Sequence, residues 1–206
     1  MSYITPQESF WAGQFGNEYI ERNQGSQLLA SNLNFFTHCL KSAQPIDSCL
    51  EFGANIGMNL KAFKLLMPNI RLAGVEINEK AHAQLENTIG KESAHHTSIF
   101  DFKTDSKYDL TMTKGVLIHI HPDQLPLVYE KLYHHSRKYI LIAEYYNPVP
   151  ETILYRGESD RLFKRDFAGE FLEKFPDTHL VDYGFSYRKD PVFPQDDITW
   201  FLIEKK

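Results

Sequence analysis

The chain has 206 residues, of which 42% are hydrophobic and 24% are charged, and its formal net charge is −5. These values favour one globular domain with a sizeable core, and the acidic balance gives no general attraction to nucleic acid, which binds basic surfaces. The two cysteines, Cys39 and Cys49, are too few for a disulfide framework and fit buried, reduced thiols.

The start of the chain, residues 1–10, lacks the basic segment and apolar run that are typical of a signal peptide. No apolar stretch approaches the roughly 18 residues that can span a bilayer. We therefore expect a cytoplasmic protein with neither nucleic acid nor a membrane as a partner. The oligomeric state stays open.

Two helices are predicted near the start of the chain. Pro6 to Arg22 has aromatic residues at helical spacing, although Gly13 lowers its helix propensity. A second helix is predicted from Gln27 to Lys41. We expect residues 1–45 to form a helical cap and residues 46–206 to form the core of the same single domain.

Strands and helices alternate along the next hundred residues, as in a parallel sheet. The predicted strands are Ile46 to Glu51, Ile70 to Glu76, His95 to Ile99, Tyr108 to Thr113 and Lys138 to Glu144. The predicted helices are Gly57 to Met67, Glu79 to Thr88 and Pro122 to Ser136.

The pattern changes after Pro150, where a helix is predicted from Asp160 to Lys174. Two strand-like runs follow, His179 to Tyr187 and Ile198 to Glu204, and their direct connection predicts an antiparallel hairpin. The whole order predicts a Rossmann-like α/β fold. Its seven-stranded sheet is mostly parallel, ends in the antiparallel C-terminal hairpin, and has helices on both faces.

A glycine turn follows the first predicted strand, in the segment Leu50–Gly57. Gly53 and Gly57 permit a tight turn and a close approach of a ligand to the backbone. Glu76 ends the second predicted strand, 19 residues after Gly57. This spacing suits a carboxylate that accepts hydrogen bonds from a ribose diol. The two features together predict a nucleotide site.

The details of the turn favour one class of nucleotide. A dinucleotide site would read G-x-G-x-x-G, whereas Asn55 stands between the two glycines here. Glu51 would repel a pyrophosphate but suits a cationic amino-acid portion. The pattern resembles the class I methyltransferases that use S-adenosylmethionine. A nucleotide-free domain with a similar turn is the structural alternative.

The resemblance implies further cofactor-binding residues. In that family the glycine turn cradles the methionine half, and an acid after the third strand accepts a hydrogen bond from adenine. Asp101 and Phe102 are the candidates for the adenine, and Arg22 is a candidate for the methionine carboxylate. The other candidates for cofactor contact are Tyr19, Ile77 and Lys114.

Candidate catalytic residues follow the fourth and fifth predicted strands. His119 can take a proton from the acceptor as a neutral imidazole; alternatively it packs beside the cofactor or bonds a backbone carbonyl. Glu144 can bind a substrate hydroxyl or amine, or support another residue. Tyr145 and Tyr146 can form an aromatic floor for a methylsulfonium or a sugar ring.

Four cations lie close together in an acidic chain: Arg156, Arg161, Lys164 and Arg165. They suit an anionic substrate such as a phosphate or carboxylate, or form a solvated helix face paired with nearby acids. The candidate substrate-binding residues are Tyr146, Arg156, Lys164 and Arg165. No spacing of histidines or cysteines predicts a metal site.

Segments along nearly the whole chain are similar to one narrower family, the pseudaminic acid biosynthesis-associated methylases. They are Phe10–Gly13, Tyr19–Asn23, Leu50–Leu60, Gly115–Ile120, Glu144–Pro148, Tyr155–Gly157, Leu162–Gly169 and Thr199–Leu202, with Phe15 and Gly16. The resemblance implies methylation linked to a nonulosonic, sialic-acid-like sugar.

The predicted function is transfer of a methyl group from S-adenosylmethionine to O or N of a small, polar, anionic acceptor. The candidate acceptor is a pseudaminic-type sugar or its nucleotide-linked form. Three alternatives stay open: an amino acid or peptide acceptor, a non-catalytic accessory protein that binds S-adenosylmethionine, and a nucleotide-dependent oxidoreductase.

Overall fold

The computed structural model describes residues 3–155 and 157–206. Its first three helices are α1 (Pro6–Ala12), α2 (Gln14–Arg22) and α3 (Ser26–Cys39). The predicted helix from Pro6 to Arg22 is therefore two helices, because the backbone at Gly13 is extended and begins a new helix. Thr5 and Glu8 form a capping box that fixes the start of α1.

Seven strands form one sheet in the order β3-β2-β1-β4-β5-β9-β8. They are β1 (Ser48–Phe52), β2 (Arg71–Glu76), β3 (Ala94–His96), β4 (Tyr108–Lys114), β5 (Ser136–Glu144), β8 (Thr178–Ser186) and β9 (Ile198–Lys205). The first five are parallel, and β9 runs antiparallel to both β5 and β8. The predicted Rossmann-like α/β fold is confirmed.

Helices cover both faces of this sheet. On one face α3, α4 (Met58–Leu66) and α5 (Glu79–Ile89) pack apolar side chains such as Phe36 and Phe63 against the strands. On the other face α6 (Leu125–His135) and α7 (Phe167–Lys174) contribute Leu132 and Phe171. Strand β1 is buried along its whole length and β5 from Tyr139 onward, and burial on both faces explains the apolar run Tyr139–Ala143 of β5.

The segment after Pro150 differs from the prediction. A helix was predicted from Asp160 to Lys174, but its first residues belong to strand β7 (Glu158–Lys164). This strand pairs antiparallel with β6 (Glu151–Tyr155). Helix α7 begins only at Phe167, where Asp166 caps it by accepting a hydrogen bond from the Gly169 N–H at 2.8 Å. Pairing with β6 overrides the helical pattern because strand propensity depends strongly on context.

Two short 3₁₀ turns, Leu117–His119 and Pro122–Gln124, connect β4 to α6. The second replaces the first turn of the predicted helix from Pro122 to Ser136. None of the helices in residues 3–155 and 157–206 combines the length and the apolar character needed to cross a membrane.

Candidate functional site

A cavity of about 460 Å³ opens at the carboxyl ends of β1, β2 and β4. Ligands of open α/β sheets bind at this edge. The cavity is covered by α1, α2 and the loop between β8 and β9. Eight of the predicted site residues line it: Tyr19, Arg22, Gly53, Asn55, Glu76, Ile77, Lys114 and His119.

The glycine turn forms the base of the cavity. Gly53 has a φ of +74°, and a Cβ there would lie 2.6 Å from Cγ2 of Val116. Asn55 has a φ of +48°, and among the described residues it is the one non-glycine in the left-handed region. Gly57, also left-handed, precedes α4 and packs against Leu85 rather than lining the cavity. The turn thus brings backbone to the surface of the cavity.

The Glu76 carboxylate is fixed by backbone groups on both sides. Its Oε2 accepts a hydrogen bond from the Asn55 N–H, and its Oε1 accepts one from the Asn78 N–H, both at 2.7 Å. Burial raises the pKa of Glu76, and these two N–H groups oppose that shift. The result is an oriented acceptor, joined to the glycine turn, that faces a cavity large enough for a nucleoside.

Glu51 lies beneath the cavity and does not line it. Its Oε1 accepts a hydrogen bond from Asn59 Nδ2 at 2.6 Å, while Oε2 has no hydrogen-bond partner in the described part of the chain. Burial raises the pKa of Glu51 to about 8, and the bond from Asn59 and the Lys114 ammonium oppose this. Asn59 and Lys114 line the cavity. Glu51 therefore affects the hydrogen bonding and charge of the cavity surface through these two side chains.

The predicted adenine contacts lie elsewhere. Asp101 is exposed, and the Phe102 ring is buried in the core 5.7 Å from Phe52, so neither lines the cavity. The physical reason is that β3 ends at His96, before the predicted end of the strand. Residues 97–100 occupy the strand-end position instead and line the cavity.

His119 sits on the first 3₁₀ turn, with its ring between Trp11 and Tyr155. The ring centroids lie 4.6 Å from Trp11 and 5.3 Å from Tyr155. Nδ1 is 2.6 Å from the carbonyl oxygen of Arg161, which can only accept, so Nδ1 carries the proton and Nε2 carries a lone pair. Burial lowers the pKa of His119 to about 4, so the imidazole is neutral at physiological pH.

The Glu144 carboxylate holds the turn that carries His119. It accepts hydrogen bonds from the N–H groups of Val116 at 3.1 Å and Ile118 at 3.4 Å, and it does not line the cavity. Burial raises the pKa of Glu144 to about 7. This geometry matches the supporting role expected as the alternative for this residue.

Tyr145 and Tyr146 also lie outside the cavity lining. The Tyr145 hydroxyl donates a hydrogen bond to Asp196, and burial together with this carboxylate raises the tyrosine's pKa. Tyr146 is 41% exposed and contacts the ring of Phe201. The structure therefore separates the two aromatic residues that the sequence suggested as one floor.

The predicted cation cluster does not converge on the cavity. Arg165 pairs with Glu170 at 2.5 Å, and Arg161 pairs with Asp160 at 2.6 Å. Lys164 lies over the Tyr145 ring at 5.7 Å. Arg156 lies outside the described residues. The cationic side chains that line the cavity in the described part of the chain are Arg22, Lys114 and Arg188.

Site residues that the sequence did not reveal join the strand ends to α1 and α2, and α1 to β7. Asn78 caps α5, and its Nδ2 lies 3.0 Å from Asn17 Oδ1 and 3.2 Å from the Trp11 carbonyl oxygen. Gln7 donates to the Asp160 carbonyl oxygen at 2.9 Å, and Ser98 donates to Glu8 at 2.5 Å. These partners are distant in sequence, so no local pattern signals them.

Among residues 3–155 and 157–206, no group of three histidine, cysteine or acidic side chains is arranged to hold a metal ion.

The chain matches no protein-family model and no curated protein sequence. Solved structures share its fold. One is 1,6-didemethyltoxoflavin-N1-methyltransferase of Burkholderia thailandensis with bound 1,6-didemethyltoxoflavin and S-adenosylhomocysteine. It has a TM-score of 0.72 and 15% identity, covering 100% of this chain and 92% of that chain.

Two further structures are similar over most of their length. Magnesium protoporphyrin IX methyltransferase of Synechocystis PCC 6803 with bound S-adenosylhomocysteine has a TM-score of 0.68 and 12% identity, covering 97% of this chain and 98% of that chain. The N-methyltransferase NodS of Bradyrhizobium japonicum WM9 has a TM-score of 0.64 and 14% identity, covering 91% and 97%. The chain thus shares the fold of class I methyltransferases.

Proposed function

We propose that this protein is a methyltransferase that binds S-adenosylmethionine in the cavity at the strand ends. The observation that carries the proposal is the Glu76 carboxylate, which is held by the backbone of the glycine turn and lines a nucleoside-sized cavity. Structures of the same fold are crystallised with S-adenosylhomocysteine, which supports this cofactor.

The cavity residues suit different parts of such a cofactor. Glu76 accepts hydrogen bonds from the ribose diol, and Ile77 and Ile99 supply apolar contact beside the base. Tyr19 and Arg22, from α2, face the charged amino-acid portion. S-adenosylmethionine supplies a methyl group that is already activated on a sulfonium. The protein then mainly has to hold the acceptor in line with that methyl carbon.

His119 is the residue that we propose to orient the acceptor. Its Nδ1 proton is committed to the Arg161 carbonyl oxygen, so Nε2 presents a lone pair to an acceptor hydroxyl or amine. The Glu144 carboxylate fixes the turn on which His119 sits. The weak basicity of His119 suits an orienting role better than storage of a proton.

For the acceptor we propose O or N of a small, polar, anionic molecule, with a pseudaminic-type sugar or its nucleotide-linked form as the candidate. Arg22, Lys114 and Arg188 line the cavity and supply positive charge for such an anion. The sequence resemblance to the pseudaminic acid biosynthesis-associated methylases supports the sugar.

A non-catalytic accessory protein that binds S-adenosylmethionine is the second candidate. The observation in its favour is the pKa of His119, lowered to about 4 by burial, because a catalytic base is most effective near the working pH. A chain of this kind would bind the cofactor with the same residues but would transfer no methyl group.

We also propose a cytoplasmic location and a single-domain organisation, with residues 1–45 capping residues 46–206. Both cysteines, Cys39 and Cys49, are free and buried, as suits a reducing compartment. Burial raises the pKa of both thiols, which keeps them protonated and unreactive.

The test is calorimetric titration with S-adenosylhomocysteine of the wild type, Glu76→Ala and Glu79→Ala. We expect micromolar binding by the wild type and a loss of about tenfold or more in Glu76→Ala, near 1.4 kcal/mol. Glu79, an exposed acid three residues away, does not line the cavity and serves as the matched control. A folded wild type that binds no S-adenosylhomocysteine, or that binds NADH instead, contradicts the proposal.

A further inference from the structure

Three acidic side chains of the described residues line the cavity, and hydrogen bonds from backbone N–H groups fix two of them in place. Glu76 accepts backbone N–H groups at both carboxylate oxygens. Glu8 accepts the N–H groups of Ile4 and Thr5 at Oε2 and the Ser98 hydroxyl at Oε1. The third is Asp196, on the loop between β8 and β9. Of these three carboxylates, that of Asp196 is the one to which no backbone N–H group donates in the described part of the chain.

The backbone around Asp196 is anchored on both sides. Gln195 is buried and donates to Asn32 Oδ1 at 2.8 Å, which ties the loop to α3. Ile198 is buried in the core at the start of β9. Asp196 thus projects from a fixed point, although it lies in a loop.

The groups around the Asp196 carboxylate place it over the ends of the central strands. The Tyr145 hydroxyl, just after β5, donates to it, and the Lys114 ammonium, at the end of β4, attracts it. Tyr19 approaches it from α2. The exposed carboxylate therefore lines the cavity near the ends of β4 and β5.

We propose that Asp196 binds the attacking hydroxyl or amine of the acceptor and takes its proton; this inference rests on the proposed methyltransferase function. The acceptor atom forms a bond to the methyl carbon as the carbon–sulfur bond breaks, and that electron pair stays on the sulfur. The acceptor atom becomes positively charged as it attacks, which makes its proton acidic. The proton passes to the Asp196 carboxylate and then to water.

Electrostatics favour Asp196 over His119 for this step. A carboxylate becomes neutral when it takes the proton, whereas His119 would become a buried cation beside an acceptor atom that is itself gaining positive charge. The Tyr145 hydroxyl is a neighbouring donor for the Asp196 carboxylate. In this arrangement His119 orients the acceptor, and Asp196 takes the acceptor's proton.

The acceptor is not needed for the test, because sinefungin has a carbon in place of the sulfur of S-adenosylmethionine and a primary amine in place of its methyl group. Binding of sinefungin and of neutral S-adenosylhomocysteine is measured by calorimetry for the wild type and for Asp196→Asn. We expect Asp196→Asn to weaken sinefungin about tenfold or more and S-adenosylhomocysteine less than about twofold. The predicted result is that Asp196→Asn loses the wild type's preference for sinefungin, the ligand with the cationic amine, over S-adenosylhomocysteine.

Two further variants make the result specific. Asp197→Asn removes the same charge from the neighbouring residue, which pairs with Arg188 and does not line the cavity, and we expect it to keep the wild-type preference. Tyr145→Phe keeps the Asp196 carboxylate but removes the neighbouring hydroxyl. We therefore expect it to weaken the preference for sinefungin, but by less than Asp196→Asn does. This variant also tests the inference if Asp196→Asn folds poorly.

The possible failures differ from one another. Equal weakening of both ligands by Asp196→Asn would place the carboxylate at their shared amino-acid portion and overturn the inference. Unchanged binding of both would also overturn it. If the folded wild type binds neither ligand, the proposed function itself fails.

Discussion

The cavity has two sides that are built in different ways. One, the strand-end wall, consists of residues 53–56, 76–78 and 97–100. The other, the cover, consists of residues 5–23 and 188–196. The wall is held by backbone hydrogen bonds, such as those from Gly53 and Ala54 to the Val75 carbonyl oxygen at 2.9 and 3.0 Å. The cover is tied down mainly by single side chains, such as Asn78.

This difference separates what is rigid from what is adaptable. Backbone hydrogen bonds between adjacent strands persist with the sheet, so we expect the strand-end wall to keep its shape when a ligand binds. Side-chain ties contribute about 1 kcal/mol each and can exchange for contacts with a ligand. We therefore expect substitutions in the wall to change stability most, and substitutions in the cover to change its dynamics and ligand binding.

The largest effect is expected from Gly53→Ala in the strand-end wall. Gly53 has a left-handed φ, and the new Cβ would also collide with Val116 at 2.6 Å, so we expect a loss of about 2–6 kcal/mol in the free energy of unfolding. Gly90→Ala is the matched control, because φ there is +92° but nothing lies within 4 Å. Its expected cost is about 1–3 kcal/mol.

Urea unfolding of both glycine variants measures the difference. Equal losses of unfolding free energy in the two variants would mean that the contact of the new Cβ with Val116 costs nothing. The backbone at Gly53 would then be packed no more closely than the open turn at Gly90.

The next effect concerns His119, where the cover meets the turn after β4. Because burial lowers its pKa from 6.5 to about 4, the unfolded chain binds more protons than the folded chain between these pH values. The stability linked to His119 is therefore fully present above pH 6.5 and is lost as the pH falls toward 4. The total is about 3 kcal/mol, at roughly 1.4 kcal/mol for each pH unit.

Unfolding free energies of the wild type and His119→Gln, measured from pH 7 to pH 4, test this dependence. We expect the variant to lose less stability over that range. His121→Gln removes a more exposed imidazole two residues away and is the control for the loss of a histidine side chain. Parallel curves for the wild type and His119→Gln would show that His119 is not shielded by the cover.

The smallest effect is expected from Asn78→Ala, which cuts the tie between wall and cover. The substitution removes the cap of α5 and the contacts of Nδ2 with Asn17 and Trp11, for a loss of about 1–2 kcal/mol. The sharper expected change is faster hydrogen exchange in α1 and α2. Asn87→Ala, an exposed position on the same helix, is the control.

If hydrogen exchange in α1 and α2 is the same in Asn78→Ala as in the wild type, the cover is held by other contacts. The ties from Gln7 and Ser98 would then be the next to test.

Sequence patterns were most informative where local geometry decides the structure. The alternation of strands and helices predicted the sheet, because a buried parallel strand needs a continuous apolar run. The position of Glu76 after the glycine turn followed from spacing alone, and the structure joins the two through the Asn55 N–H. The segment from Asp160 to Lys164 was mispredicted because its strand forms only by pairing with β6.

The sequence by itself therefore determined the fold class, the glycine turn and the acid at the end of β2, since each depends on residues close together in the chain. Only the tertiary structure decided which side chains share the cavity. It excluded Asp101 and brought in Asp196, which lies 120 residues after Glu76. The physical reason is that the cover is assembled by contacts between segments far apart in sequence, as between Gln7 and Asp160, and no local pattern encodes such contacts.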